Sequence, residues 1–189
     1  EIVVLDKNFF SSRVNQLSDW NIKFFQGDIL DKNFIKKHIQ TADIIHHLAG
    51  ITNVAYVKKE ENKKRDDLIK KTTIDGTQNI LDEMREDAKI IFPSTHVIFE
   101  GLKKTKFNIL EHEKPKTFLA YSSSKVINEK QLKLSGKNYI ILRLGSVYGY
   151  STDTARIDIM VNFFSKTASQ NGVLKLFAGG RQIKSLVPL

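Results

Sequence analysis

The stretch Tyr121-Ser122-Ser123-Ser124-Lys125 lies between two apolar runs of the chain. The run before it, residues 89–93, predicts a buried strand that ends at the hydroxyls of Ser94 and Thr95. The run after it, residues 139–144, predicts the next buried strand. A strand, a helix and a second strand in this order are typical of a parallel α/β fold.

The spacing of Tyr121 and Lys125 has a chemical use. The two are four residues apart, so a helix places both on one face. A Tyr hydroxyl titrates at about pH 10, and a nearby ammonium group lowers that pKa by stabilising the phenolate. With a strand-end hydroxyl to bind the substrate oxygen, this arrangement suits hydride chemistry at a carbinol carbon with a nicotinamide cofactor. A surface helix that holds Tyr and Lys by chance is the alternative.

The composition limits the class of protein. The 189 residues, 41% of them hydrophobic, are enough for one domain with a sizeable core. There is no Cys, which excludes disulfides and thiolate metal sites and fits a reducing cytoplasm. The sequence shows no apolar run of membrane-span length and no signal peptide, so we expect a cytoplasmic protein without membrane contact.

The net charge of +9 raises the question of nucleic-acid binding. Only six of the 30 basic residues are Arg, which is preferred for phosphate and base contacts. Within residues 57–71, each acid precedes a base by four residues, which predicts a solvated helix rather than a nucleic-acid arm. Nucleic-acid binding by a catalytically inactive relative is kept as an alternative from another class.

Three more strands are predicted before residue 89, at residues 1–6, 21–25 and 42–50. An acid at the end of the first, Asp6, could accept hydrogen bonds from the ribose hydroxyls of an adenine nucleotide. After the second strand, Asp28 could contact the adenine amino group or, alternatively, cap a turn before the next helix.

The remaining patterns concern histidines and the C-terminal part. Adjacent strand residues point to opposite faces, so the pair His46–His47 is assigned to packing and no metal site is expected. Gly136 is placed to end the helix with Tyr121. Residues 156–169 predict an amphipathic helix and residues 174–177 a strand.

Short segments across nearly the whole chain resemble, in order, the extended short-chain dehydrogenases/reductases. The resemblance is to the branch of NAD-dependent epimerases and dehydratases that act on nucleotide sugars. The matching segments are residues 2–6, 27–30, 45–50, 76–77, 92–95, 121–125 and 142–149. This resemblance implies a Rossmann-like doubly wound parallel sheet that binds NAD. Residues 1–150 would be an incomplete NAD-binding domain and residues 151–189 the start of a substrate-binding region.

The resemblance also implies roles for single residues. Tyr121 would be the catalytic acid/base, Lys125 would bind the nicotinamide ribose and tune Tyr121, and Thr95 would be the catalytic hydroxyl. Residues implied in cofactor binding are Asp6, Asp28, Ile29, Leu48, Ala49, Gly50, Tyr121 and Lys125. Residues implied in substrate binding are Thr95, Ser146, Asn162 and Lys184.

The chain departs from the family pattern at its N-terminal end. The glycine-rich phosphate loop should lie about 20 residues before Asp6, and the first strand would precede it. Strand 1–6 should then face strand 43–48 without pairing. We expect a fragment truncated at both ends that neither folds stably nor binds NAD tightly alone. Within the chain, Thr73 stands where many relatives have an Asn that supports a proton relay.

A second departure bears on the reaction. Sugar 4,6-dehydratases follow their catalytic Thr with Asp-Glu, whereas here Thr95 is followed by His96 and Val97. The resemblance therefore favours an NAD-dependent nucleotide-sugar epimerase that oxidises a sugar carbinol transiently. The alternative within the family is an NAD(P)-dependent reductase or dehydrogenase. Relatives often dimerise through helices that correspond to residues 57–81 and to the Tyr/Lys helix, so a homodimer is a possible assembly.

Overall fold

A computed structural model describes residues 1–51, 62–150, 157–181 and 183–189. Strands and helices alternate along these ranges, as the sequence predicts. The strands are β1 (Val3–Asp6), β2 (Lys23–Gln26), β3 (Ile44–His46), β4 (Lys89–Thr95), β5 (Asn138–Leu144), β6 (Ser146–Tyr148) and β7 (Leu186–Pro188). The α-helices are α1 (Ser11–Asp19), α2 (Lys32–Ile39), α3 (Lys63–Glu83), α4 (Ala120–Leu134) and α5 (Met160–Ser169).

The described strands form three parallel sheets: β1-β2, β3-β4-β5 and β6-β7. The longest ladder joins β4 to β5 over seven residue pairs, from Lys89 with Asn138 to Thr95 with Leu144. Within the described residues β1 forms no ladder with β3, which is the separation predicted from the sequence. The parallel α/β class is confirmed.

One hydrophobic core nevertheless joins the first two sheets. Leu5 of β1 and Ile45 of β3 both pack against it. Its buried members are Ile29, Ile35, Ile39, Ile80, Leu81, Met84, Ala88, Ile90, Phe92 and Leu132. Each large apolar side chain here contributes about 1.5–3 kcal/mol by leaving water. The core therefore fixes α2, α3 and α4 on the same face of β4.

The opposite face of β5 is less covered. Ile141 packs against the core, so Ile140 and Leu142 point away from it, and these two are 40% and 42% exposed. On the core side, α3 approaches closely at Gly76, where an added Cβ would lie 2.8 Å from Cγ2 of Ile29. A side chain at position 76 would collide with Ile29, and neither residue can move aside because both are buried. This crossing therefore needs a glycine.

Helix ends follow from local side chains. The Asp31 carboxylate accepts from the Phe34 amide at the start of α2, and Asn62 does the same for Arg65 at the start of α3. Gly136 has a φ of 72°, the left-handed conformation that ends α4 as predicted.

Three expectations need correction or lie out of reach. Residues 174–177 are not a strand: residues 173–176 are irregular, and a 3-10 helix spans Phe177–Gly180. The positive φ values of Gly179 and Gly180 turn the chain there. The helix of residues 57–71 is not wholly solvated, because Asp66 is buried. The acids at positions 60 and 61 lie outside the described residues.

Candidate active site

The predicted catalytic residues lie at the end of β4 and in the first two turns of α4, two elements that a hydrogen bond joins. Thr95 is the last residue of β4, Tyr121 is the second residue of α4, and Lys125 lies one turn further along that helix. The hydrogen bond from Lys125 to the Pro93 carbonyl ties this helix to the strand. In parallel sheets, ligands bind at the carboxyl ends of the strands, which is the edge where these residues lie.

Lys125 is held tightly in this position. Its Nζ donates a 2.9 Å hydrogen bond to the carbonyl of Pro93 and lies 4.3 Å from the centre of the Phe92 ring. The same Nζ is 6.0 Å from the centre of the Tyr121 ring. Burial lowers the pKa of Lys125 to about 8, so the ammonium form still predominates at pH 7. A partly desolvated cation next to a tyrosine is the feature that the sequence spacing predicted.

The two hydroxyls at the end of β4 are used differently. Ser94 donates its hydroxyl hydrogen to Glu129 in a buried 2.7 Å hydrogen bond, so this hydrogen is already used within the protein. The Thr95 hydroxyl accepts a 3.2 Å hydrogen bond from the amide of Val97. This bond caps the 3-10 helix that spans His96–Phe99. Within the described part of the chain, the hydroxyl hydrogen of Thr95 has no acceptor. Of the two, Thr95 is therefore the hydroxyl that can donate to a substrate oxygen.

A buried ion pair holds α4 against the sheet. Arg143 of β5 donates to both carboxylate oxygens of Glu129, at 3.0 and 2.7 Å. Burial works to raise the pKa of Glu129, but the hydrogen bonds from Arg143 and Ser94 outweigh it and hold that pKa below its usual value. The pair thus stays charged at neutral pH and connects α4 with β4 and β5.

A second buried network joins β3, α3 and α4. Thr77 donates to the Thr73 carbonyl at 2.7 Å, so its hydroxyl oxygen accepts from Nε2 of His47 at 2.8 Å. Asn128 of α4 donates to the same carbonyl at 3.0 Å. Burial, together with the nearby charge of Lys125, lowers the pKa of His47 to about 3. His47 is therefore neutral, which agrees with the packing role predicted for it.

The candidate cofactor residues lie at the carboxyl ends of strands in the β1-β2 sheet and in the β3-β4-β5 sheet. Asp6 is exposed at the end of β1, and its carbonyl accepts from the Gly27 amide at 2.9 Å, which brings the two strand ends together. Asp28 accepts from the Leu30 amide at 3.0 Å and pairs with Lys7 at 2.7 Å. The Leu30 amide and then Lys7 lower the pKa of Asp28. Asp28 therefore does cap a turn, and its carboxylate is charged.

The neighbouring positions differ in exposure. Ile29 is buried in the core against Gly76, so its adenine contact stays a prediction. Leu48, Ala49 and Gly50 follow β3 and are exposed, and an added Cβ at Gly50 would meet nothing within 4 Å. This exposed stretch directly follows His47, whose ring packs against Phe92 as Lys125 does.

Two predicted substrate residues lie beyond the ends of β4 and β5. The Ser146 amide donates to the Ser185 carbonyl at 2.8 Å, which places Lys184 beside β6. Burial lowers the pKa of His96, the hydrogen bond from its Nδ1 to the Leu144 carbonyl at 3.1 Å opposes this, and the charge of Lys184 adds a smaller lowering. Asn162 lies in the first turn of α5, and its role in the site stays a prediction.

The family model described as the NAD dependent epimerase/dehydratase family matches residues 1–187. The chain belongs to this family. Among curated proteins, it is 27% identical over 192 residues to a UDP-N-acetyl-alpha-D-glucosaminuronate decarboxylase of Bacillus cytotoxicus, covering 96% of this chain and 58% of the relative. It is 28% identical over 170 residues to a dTDP-D-glucose 4,6-dehydratase of Dictyostelium discoideum, covering 79% of this chain and 38% of the relative.

A solved structure shows the same fold. The UDP-glucuronic acid 4-epimerase from Bacillus cereus, in complex with UDP-glucuronic acid and NAD, has a TM-score of 0.79 at 22% identity. It covers 100% of this chain and 61% of the epimerase chain, and its likeness confirms the Rossmann-like α/β class. The present chain, a member of the epimerase/dehydratase family, spans about half the length of the two curated relatives named above.

Two properties of the described residues concern metal binding and membranes. No group of three or more His, Asp or Glu side chains is placed there to hold a metal ion. None of the helices in those same ranges combines the length and apolar character needed to cross a membrane.

The sequence did not indicate the residues that hold the site in place. Glu129 and Arg143 are 14 residues apart, Ser94 and Glu129 are 35 apart, and His47 and Thr77 are 30 apart. No local spacing rule connects residues at such distances. The one available hint was that Glu129 follows Lys125 by four residues and therefore shares its helix face.

Proposed function

We propose that the complete protein is an NAD-dependent epimerase that oxidises a carbinol of a nucleotide sugar transiently. The observation that carries this proposal is the placement of Lys125. Its buried ammonium is bonded to the Pro93 carbonyl, one turn from Tyr121 and at the end of the strand that carries Thr95. These three groups can bind and deprotonate one hydroxyl.

The residues present fit the two ends of NAD. Asp6 at the end of β1 and Asp28 shortly after β2 lie at the same edge of the β1-β2 sheet, suited to ribose hydroxyls and an adenine amino group. The nicotinamide end would lie at Lys125, with the exposed stretch from Leu48 to Gly50 along the cofactor. When bound, NAD supplies the hydride acceptor for the sugar carbon. No Gly-x-x-Gly occurs in the 189 residues, so these residues supply no glycine-rich pyrophosphate loop.

The chain's own residues would handle the proton. Tyr121 takes the proton from the carbinol oxygen, because Lys125 favours its phenolate form. Thr95 directs its hydroxyl hydrogen to the same oxygen and keeps it in place. When the sugar is reduced again, Tyr121 returns the proton to that oxygen. This sequence needs one base and one hydrogen-bond donor, and both are present.

The position after Thr95 favours an epimerase over a dehydratase. Elimination of water from the sugar needs a further acid and base, but His96 and Val97 supply no carboxylate there. Burial and Lys184 keep His96 neutral, and its Nδ1 is already bonded to the Leu144 carbonyl. A reductase or dehydrogenase of the same family would use the same three groups, and its net consumption or formation of NADH distinguishes it.

The location and assembly are part of the same proposal. We place the enzyme in the cytoplasm, where nucleotide sugars and NAD are available, and this agrees with a chain without Cys. A homodimer would use α3 and α4, which pack side by side and carry the exposed apolar side chains of Leu68 and Ile127. Nucleic acid is not a proposed partner.

The proposal is tested with variants of the complete protein in an assay of UDP-sugar and dTDP-sugar epimerisation. Tyr121→Phe is expected to lower kcat by about 10²–10⁴-fold, the usual contribution of a general acid/base. Lys125→Met and Thr95→Val are expected to lower kcat at nearly unchanged KM for the sugar.

The matched control is Ser123→Ala, on the same helix turn as Tyr121. The Ser123 hydroxyl is bonded to Thr117 and has no part in the proposed chemistry, so this variant should keep its activity within about twofold. Full activity of Tyr121→Phe would contradict the proposed function.

A further inference from the structure

Glu100 joins the loop after β4 to the start of the helix that carries Tyr121 and Lys125. One of its carboxylate oxygens accepts from the amides of Phe118 and Leu119, at 3.1 and 2.9 Å. The same oxygen accepts from the hydroxyl of Ser122, which is buried. Glu100, 18 to 22 positions earlier in the chain, thus binds the two amides that lead into α4, at Phe118 and Leu119, and one hydroxyl of the first turn, at Ser122.

Helix α4 depends on this carboxylate because it lacks a cap of its own. Its N-cap residue, Leu119, has no side-chain oxygen, and no side-chain cap is formed there. There is also no acidic residue in the first turn of α4. Glu100 therefore holds the residues that lead into α4 in place and brings to this helix N-terminus the negative charge that it favours.

The position of this charge matters for Tyr121. Tyr121 lies between Leu119 and Ser122, whose groups bind Glu100, so the carboxylate is near the first turn that holds the tyrosine. The helix N-terminus and Lys125 both favour a negative phenolate, whereas a neighbouring carboxylate opposes it. Glu100 therefore fixes the geometry of this turn and moderates its positive potential.

Other charged or titratable groups around this turn must be considered. On α3, two acids and two bases line the groove against residues 118–120 and Ser123, and they leave no net charge there. Directly after β3, His47 is neutral. The groups concerned are Glu100, Lys125, Lys63, Asp66, Asp67, Lys70, His47 and His96. Among them, Glu100 is the carboxylate bonded directly to the first turn of α4.

We propose that Glu100 is a positioning residue for this site, which fixes the first turn of α4 and sets how readily Tyr121 ionises. Its catalytic consequence rests on the proposed epimerase function, but its effect on Tyr121 does not. Glu100→Gln separates charge from geometry, because the amide oxygen can still accept from both backbone amides and from Ser122.

The first experiment is an NMR titration of the complete protein labelled with ¹³C at the ζ carbon of tyrosine. These 189 residues contain five Tyr, and the signal of Tyr121 is assigned by its loss in Tyr121→Phe. In Glu100→Gln, the titration midpoint of Tyr121 is expected to move to lower pH by roughly half a unit. This is the order of magnitude of the pKa change when one negative charge is removed a few ångströms from the titrating group, without direct contact. An unchanged midpoint would overturn the proposal.

The matched control is Glu113→Gln in the same loop. Glu113 pairs with Lys106, not with α4, so its removal should leave the Tyr121 midpoint in place. An equal shift in this control would show a general charge effect and would also overturn the role assigned to Glu100.

The second experiment compares pH profiles of kcat/KM for the complete enzyme. Glu100→Gln should move the acidic limb of the kcat/KM profile to lower pH and leave the plateau value of kcat/KM similar. Glu100→Ala should lower kcat roughly 10-fold or more at nearly constant KM, because the first turn of α4 shifts. If the wild-type protein lacks epimerase activity, the proposed function fails and the tyrosine titration alone decides on Glu100. If Tyr121→Phe is inactive while both Glu100 variants behave as wild type, only the inference about Glu100 fails.

Discussion

At the scale of single residues, two titratable groups around Phe92 have strongly shifted pKa values. Lys125 lies 4.3 Å from the centre of the Phe92 ring, and the His47 ring centre is 5.5 Å from it. Burial lowers both pKa values, to about 8 for Lys125 and about 3 for His47. Only one of two neighbouring buried groups can carry charge at low cost, and here it is the lysine that the chemistry needs.

His47 makes stability depend on pH in a definite direction. Its folded pKa of about 3 lies below the usual 6.5, so the unfolded chain takes up the proton first. The stability it contributes is present above pH 6.5 and is lost as the pH falls from 6.5 toward 3. The loss amounts to about 1.4 kcal/mol per pH unit, or about 2 kcal/mol between pH 6.5 and 5.

The measurement is the free energy of unfolding of the complete protein at pH 7 and pH 5, for wild type and His47→Gln. A Gln amide can still donate to Thr77 but does not titrate, so the difference between the two proteins should shrink by about 2 kcal/mol on acidification. Parallel pH dependence of both proteins would show that His47 is not the buried neutral group described above.

At the scale of elements, α4 is attached to the rest of the molecule at three places along its length. Glu100 binds its first turn, Lys125 and Glu129 bind β4 and β5 from its middle, and Asn128 binds α3 through the Thr73 carbonyl. Each attachment uses a polar group that would be costly to bury alone. The helix can therefore present Tyr121 in one orientation only.

The ion pair of Glu129 and Arg143 is expected to dominate the stability of this attachment. Glu129→Ala should lower the free energy of unfolding by about 2–4 kcal/mol, because it takes the carboxylate away from the half-buried Arg143, which keeps its bond to the Glu111 carbonyl, and leaves the buried Ser94 hydroxyl without its acceptor. The check is denaturant unfolding at pH 7 for the complete protein, with an unchanged slope in denaturant as the sign of an intact fold.

An exposed pair provides the control for this prediction. Nζ of Lys32 and Oδ2 of Asp82 are 2.6 Å apart, and half of the Lys32 side chain and one third of the Asp82 side chain are exposed. Asp82→Asn should therefore lower the free energy of unfolding by less than about 1 kcal/mol. Replacing both Glu129 and Arg143 with Leu should recover part of the loss. Equal costs for Glu129→Ala and Asp82→Asn would show that the ion pair does not anchor α4.

Elements differ in how far the sequence predicts them, and the reasons are physical. Strands β4 and β5 are predicted well because they are long and apolar, and helix α4 because it lies between them and ends at Gly136. Strand β7 is not predicted, because three residues ending at Pro188 carry no periodicity. The wrongly predicted strand at residues 174–177 shows the reverse case: an apolar run becomes a strand only where a partner strand accepts it.

At the scale of the whole molecule, the candidate site lies across two sheets that share one core. Asp6 and Asp28 are at the edge of the β1-β2 sheet, while Lys125 and Thr95 are at the edge of the β3-β4-β5 sheet. Leu5 and Ile45 pack on the same core from either side. In the proposed function, one NAD would use both edges.

The proposed catalytic residues follow from the sequence, whereas the contacts that hold them in place do not. Tyr121, Lys125 and Thr95 follow from a short spacing at a strand end, and the structure brings their elements together. Glu100, Glu129 and His47 depend on contacts between elements distant in the chain, which a single sequence does not reveal. Ile29 illustrates the same limit, since its burial against Gly76 follows from the crossing of α3.

The most direct test of the account is the fate of the hydrogen at the oxidised carbon. The complete protein is incubated with NAD and with UDP-glucose or UDP-glucuronic acid deuterated at C4, and the products are followed by NMR. Transient oxidation by the Tyr121 site predicts the C4 epimer with deuterium retained at C4, no net NADH, and no product with Tyr121→Phe. Deuterium recovered in NADH, or loss of CO₂ or water from the sugar without epimer, would contradict the epimerase assignment.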